Sequence, residues 1–266
     1  TGNLPLLYAH GFRGPIYMTP ATVALSDIML RDSAHIQLAE AEWRNRKNRR
    51  AGKEDYVTPY TMEDALGVNR LLEGIPYHQR VTLSDGIQIR FLDAGHLLGS
   101  ASIELWLTED GVTKKLLFSG DIGNINQPLI RDPVYIREAD YVVMESTYGD
   151  RSHGERPDYP AILAEIIQRT FDRGGSLVIP SFAVGRTQEM LYFIRQIKAE
   201  GRIKGHENFP VFVDSPLASK STTIFRENFA ECYDDEALAL VQSGRNPLQF
   251  PGLHVSETKE ESDRKS

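Results

Sequence analysis

The sequence predicts an α/β protein built in two parts, and three observations predict it. Between Gly86 and Leu107, apolar residues alternate with polar ones: Ile87, Ile89 and Phe91, then Ile103, Leu105 and Leu107. That is the period of half-buried strands. Two short apolar runs, Leu116-Leu117-Phe118 and Tyr141-Val142-Val143-Met144, read as further strands. After about Arg151 strands and helices take turns, an order that implies a small parallel sheet with helical crossovers. The boundary therefore falls near residue 150, giving domains 1–150 and 151–266.

The elements follow in order. Ile16-Tyr17-Met18 is a short strand, and Thr19-Pro20 starts a helix, since proline in the first turn gives up an N–H that has no partner there. A polar helical stretch runs from Ala34 to Arg50. Thr61-Met62-Glu63-Asp64 resembles a capping box, with Ala65, Val68 and Leu72 along one face of the helix behind it. Glu109-Asp110-Gly111 is a turn between strands. In the second half, Ile162, Ile166 and Phe171 mark a helix that Gly174-Gly175 ends. Ser176 to Ile179 is expected as a strand, Thr187 to Glu200 as a helix, Val211 to Val213 as a strand, and Ser221 to Phe229 as a helix. From Gly252 onward the chain is charged and reads as a linker or cut end.

Composition bounds the class. At 41% hydrophobic and 25% charged residues, the chain has the make-up of a soluble globular protein. No apolar run approaches the roughly 18 residues of a membrane span, and the start has no signal-type stretch. Cys232 stands alone, which excludes an intrachain disulfide and a cysteine-held metal, and fits a cytoplasmic location. A net charge of −7 argues against a generic nucleic-acid coat but not against a cleft that grips a few phosphates. Six basic residues lie between Arg44 and Lys53: Arg44, Arg46, Lys47, Arg49, Arg50 and Lys53. They read either as a solvated helix face or as a phosphate-contacting patch.

Three strands deliver polar residues just past their ends: Asp93-Ala94-Gly95-His96, Ser119-Gly120-Asp121 and Glu145-Ser146-Thr147. Imidazole and carboxylate are the ligand types of catalytic zinc. Taken singly, His96 reads equally as a turn residue, Asp121 as a turn cap and Glu145 as part of a helix-capping cluster. A second candidate is the loop Ser181 to Gly185 before a helix that starts near Arg186. Free N–H groups and the helix dipole at such a junction suit an anion, with Arg186 either gripping phosphate or tied to an internal carboxylate.

These residues carry a resemblance. Asp93-Ala94-Gly95-His96-Leu97-Leu98-Gly99-Ser100-Ala101 and Phe118-Ser119-Gly120-Asp121 resemble the third and fourth motifs of metallo-β-lactamase-fold nucleases. Glu145-Ser146-Thr147-Tyr148-Gly149, Pro180 to Glu189 and Asp214-Ser215-Pro216-Leu217-Ala218 resemble the β-CASP cassette. The sequence is similar to RNA-processing enzymes related to the 73 kDa subunit of the cleavage and polyadenylation specificity factor. The resemblance implies an αββα sandwich with a β-CASP domain and two zinc ions. His96 and Asp121 would be metal ligands, Asp121 bridging the two ions, and Glu145 would orient a catalytic histidine further along. RNA would be the substrate, with Ser181 and Arg186 as phosphate contacts and a homodimer as the assembly to look for.

The departures are as specific. The family's HxHxDH motif is absent, no two of the seven histidines being one residue apart. The later histidines are absent too, and His254 stands in no matching context. The expectation is accordingly a partial chain, lacking N-terminal strands, that neither binds zinc tightly nor cuts RNA alone. The alternatives to a ribonuclease are a non-catalytic RNA-binding scaffold and a small-molecule metallo-hydrolase.

Overall fold

The computed structural model describes residues 2–152, 154, 157–256 and 258. The chain forms two compact units, Thr1–Pro76 and Tyr77–Ser266, so the boundary expected near residue 150 lies inside the second unit. The class is α/β with a mixed sheet. Among the described residues no helix is long and apolar enough to cross a membrane.

The first unit contains α1 (Leu4–Ala9), β1 (Ile16–Met18), α2 (Pro20–Arg50), α3 (Met62–Asn69) and β2 (Leu72–Gly74). β1 and β2 pair in parallel, Ile16 opposite Leu72. Thr19 caps α2, its hydroxyl accepting the Thr22 N–H at 3.3 Å, and one continuous helix of 31 residues replaces the two stretches read from the sequence. Thr61 and Asp64 form the expected capping box on α3. Leu72 is not on that helix face, because α3 stops at Asn69 and Leu72 joins the strand pair. The core gathers Leu30, Ala34, Tyr60, Ala65 and Val68, with Leu4, Leu6, Tyr8 and Ile16 packed against it.

The second unit is organised by a five-stranded sheet in the order β3 (Arg80–Ser84), β4 (Ile87–Asp93), β5 (Ala101–Glu109), β6 (Val112–Phe118) and β7 (Tyr141–Val143). All neighbours are antiparallel except β6 and β7, which are parallel. The chain therefore leaves β4, β6 and β7 at the same edge of the sheet. Asp110 and Gly111, both at positive φ (49° and 77°), make the two-residue turn between β5 and β6. The most deeply buried carboxyl of this sheet among the described residues is Glu104, 1% exposed and held at 2.5 Å by both Arg90 and Lys115. Burial pushes its carboxyl up, but hydrogen bonds and charge from the two cations outweigh that and hold it below the usual carboxylate range.

Helices α4 (Tyr159–Asp172), α5 (Arg186–Ala199), α6 (Pro216–Glu227), α7 (Phe229–Cys232) and α8 (Asp235–Gln242) follow, with β8 (Val211–Val213) and β9 (Leu253–Val255). Three expectations need correction. Residues 176–179 form no strand, since no strand pairs with them among the described residues; Val178 is 83% exposed. The helix expected from Ser221 begins at Pro216, because Ser215 accepts the Ala218 N–H and fixes the start earlier. The segment from Gly252 is not all linker: Leu253–Val255 pairs in parallel with β8, which takes up its backbone groups.

The Glu104 site gives a testable pH dependence. Its folded pKa lies below the ordinary 4.5, so its contribution is present above that value and fades as pH falls through the lowered folded pKa. Glu104→Gln strands two cations and should cost about 3 kcal/mol in urea unfolding at pH 7. The mutant should also lack the part of the acid-limb destabilisation due to this residue. Equal stability at pH 7 would show that the pair contributes nothing net.

Candidate active site

Three loops meet at the sheet edge where β4, β6 and β7 end. The first is the turn after β4. Asp93 accepts the Gly95 N–H at 2.8 Å, and Ser100 Oγ accepts the N–H groups of His96 and Leu97 at 3.1 and 3.2 Å. Gly95 and Gly99 both take positive φ (61° and 79°), which reverses the chain and leaves the His96 side chain exposed. Asp93 is itself buried, and that burial pushes its carboxyl up to about 6 against the opposing pull of the Gly95 N–H and Arg131.

The second loop follows β6. Ser119 is buried and acts as its hub. Its N–H donates to the Val143 carbonyl (2.9 Å), its carbonyl accepts from Ser102 Oγ (2.8 Å), and its Oγ accepts the Glu145 N–H (3.0 Å). Beyond it the loop turns at Gly120 (φ 59°), where a β-carbon would sit 2.8 Å from the Ala101 carbonyl oxygen. Asp121 follows, exposed. The decisive contact is at Gly123. Its N–H donates to the Ala94 carbonyl at 2.8 Å, and a β-carbon on it would overlap the Gly95 carbonyl. The loop of Asp121 and the turn of His96 are thus packed backbone to backbone.

The third loop supplies Glu145. One carboxylate oxygen accepts the Ile122 N–H at 2.6 Å, next to Asp121, and the other accepts from Thr147 Oγ1 at 2.7 Å. The Ile122 N–H, the Thr147 hydroxyl and the nearby charge of His96 together hold the Glu145 carboxyl below its usual range. His96, Asp121 and Glu145 therefore belong to one cluster of loops.

The loop of residues 181–185 joins the same neighbourhood. Gly185, at φ 87°, precedes α5, and a β-carbon on it would strike the Leu97 side chain beside His96. Gln188 shapes this loop from a fully buried position. It accepts the Gly185 N–H (2.7 Å) and donates to the Ala183 carbonyl (3.1 Å) and Thr222 Oγ1 (2.9 Å). Ser181 is exposed, while Arg186 is ion-paired with Glu189 one turn along α5. Sequence reasoning did not single out Gln188, Ser119 or Gly123 as shaping residues. The one signal for Gly123 was its place two residues past Asp121.

In kind, the donors fit zinc: an exposed imidazole and an exposed carboxylate on adjoining loops. In number they are short, since zinc sites take three or four protein ligands. Among the described residues no group of three or more His, Cys, Asp or Glu is placed to hold a metal ion.

Comparison with known proteins decides the kinship. Residues 187–266 match the family described as the Beta-Casp domain. The chain is 34% identical over 263 residues to ribonuclease TTHA0252 of Thermus thermophilus, covering 98% of this chain and 54% of that protein. Residues 187–266 thus carry a Beta-Casp-type sequence, and nearly the whole chain is similar to part of a protein named as a ribonuclease. Endoribonuclease YSH1 of Candida glabrata is 27% identical over 244 residues, covering 91% of this chain and 30% of its own length. Transcription termination factor FttA of Methanosarcina mazei is 29% identical over 253 residues, covering 93% of this chain and 36% of its own. The chain thus spans about half the length of the Thermus relative and about a third of the other two.

Gly123→Ala tests the packed loops. The added methyl meets backbone rather than a flexible side chain, so it should destabilise the fold by about 2 kcal/mol or more in urea unfolding. Wild-type stability in that mutant would show the two loops free to part.

Proposed function

We propose that the protein carrying this chain is a zinc-dependent ribonuclease acting in RNA processing or decay in the cytoplasm. It hydrolyses internal phosphodiester bonds, with 5′–3′ trimming as a second mode. The observation that carries the reading is the backbone packing of the Asp121 loop on the His96 turn through Gly123. The printed names of the relatives, ribonuclease, endoribonuclease and termination factor, support it. In this reading residues 1–150 belong to an incomplete metallo-β-lactamase-type αββα catalytic domain and residues 151–266 to the β-CASP domain.

His96 and Asp121 would hold part of a two-zinc centre, with the remaining ligands drawn from outside these residues. Bound zinc supplies a hydroxide at neutral pH by lowering the pKa of water to about 7. The protein's own groups do the rest. The Gly123 contact holds the backbones of the two loops together, which would limit their reorganisation when charge develops. Glu145 steadies the Asp121 loop through the Ile122 N–H and stays ionised, ready to orient a partner histidine. Ser181 and the N-terminus of α5 would contact RNA phosphate, a reading supported by the close approach of Gly185, just before that helix, to Leu97 beside His96. Arg186 holds Glu189 through one guanidinium nitrogen, and its remaining donors would serve phosphate.

Two measurements test this. In the complete enzyme, Asp121→Ala should cut the cleavage rate about a thousandfold or more, with RNA affinity nearly unchanged. Unaltered turnover removes Asp121 from the chemistry and favours the scaffold reading. By calorimetry, the isolated 266-residue chain should bind zinc no more tightly than micromolar, because it offers two donors. Stoichiometric submicromolar binding would overturn that assignment.

A further inference from the structure

The C-terminal part of α2 contributes nothing to the core. Its last buried residue is Ala41, and the nine positions beyond it are solvated or half-buried. A helix polar all round is not held by an apolar face, so something else must account for this one. Part of the answer is local. The loop after it folds back, Asn45 exchanging two hydrogen bonds with the Tyr56 backbone (2.6 and 3.0 Å) and Asn48 donating to the Glu54 carbonyl (2.8 Å). Arg49 pairs with Asp55 at 2.7 Å.

What these bonds present to solvent is chemically specific. Arg44 and Arg49 are neutralised by Glu40 and Asp55, but Arg46, Lys47, Arg50 and Lys53 have no ion pair among the described residues. Two free carboxylates, Glu42 and Glu54, stand against those four cations. Two exposed aromatics lie among them. Trp43 is 50% exposed with the Lys47 ammonium 3.6 Å from its ring centre, and Tyr56 is 40% exposed beneath Arg44 at 4.8 Å. Trp43, Arg46, Lys47 and Arg50 are spaced three, four and seven apart, along one side of the helix over about 10 Å. Favourable charge at a helix C-terminus explains cations in the last turn. It explains neither the exposed rings nor Lys53.

We propose that this arm, the end of α2 with the loop of residues 51–57 strapped to it, is a binding surface for single-stranded RNA. Arg46, Arg50 and Lys53 contact phosphates, and Trp43 and Tyr56 stack on bases. Unpaired cations interleaved with aromatic rings are what a flexible polyanion with exposed π faces requires. The chain as a whole carries −7, so an RNA strand is attracted only where cations gather locally, as they do on this arm. This inference rests on the ribonuclease reading and extends it by assigning substrate capture to residues apart from the chemistry.

The test uses the complete enzyme and a fluorescein-labelled oligouridylate, followed by anisotropy across a salt series and by cleavage. Reversing the three phosphate contacts together, Arg46→Glu, Arg50→Glu and Lys53→Glu, should weaken binding at least about tenfold at low salt. It should also lower the log–log salt slope by about 2, near 0.7 per lost contact. The rate at saturating RNA should stay at the wild-type value. Trp43→Ala with Tyr56→Ala should weaken binding about fivefold or more and leave the salt slope unchanged, because stacking releases no counterions. Circular dichroism checks that both variants fold. If the charge-reversed enzyme keeps wild-type affinity and slope while the wild type binds and cuts RNA, the arm does not touch RNA and the ribonuclease reading stands. If the wild type neither binds nor cuts RNA, both fall together.

Discussion

Everything proposed for the site depends on one close approach, that of Gly123 to Ala94 and Gly95. Two loops leaving different strands would ordinarily be kept apart by their side chains, each moving on its own. Here one loop donates an N–H to the other, and the absence of a β-carbon removes the only atom that would separate them. The consequence is functional. The turn of His96 and the loop of Asp121 are thereby joined through their backbones, which is the support the proposed metal site would need.

Around that contact the protein spends side chains rather than long elements. Ser119 and Ser100 each serve several backbone groups, Asp93 clamps the turn from inside, and Glu145 ties the Asp121 loop to the end of β7. Gln188 does the same for the loop before α5, giving the Gly185 N–H and the Ala183 carbonyl an internal partner. The sheet beneath is steadied differently, by the buried carboxylate of Glu104 shared between Arg90 and Lys115. Fully paired, such a group fixes strand register; half paired, it would be a fault in the core.

The two units show different economies. In the first, a small core of Leu30, Ala34, Tyr60, Ala65 and Val68 anchors the front of α2, while its far end is kept by side-chain bonds to the returning loop. In the second, long-range pairing sets the form, and the strands at its margins are short. That contrast explains where reading the sequence succeeded. Capping residues act within four positions, so Thr19, Thr61 and Gly174 marked real ends.

The sequence by itself determined the local grammar: the strands from Ile87 to Phe118, the turn at Asp110-Gly111, the helices α4 and α5, and the motifs that resemble the β-CASP cassette. Only tertiary structure decided the rest. Whether residues 176–179 pair and whether Leu253–Val255 becomes a strand depend on partners far along the chain. The meeting of the His96 and Asp121 loops was expected from the strand ends and the resemblance, but the Gly123 contact that joins them belongs to the same class. Hydrophobic period and capping are short-range signals carried in the residues themselves, whereas backbone approach between distant segments is set by the sheet that positions them.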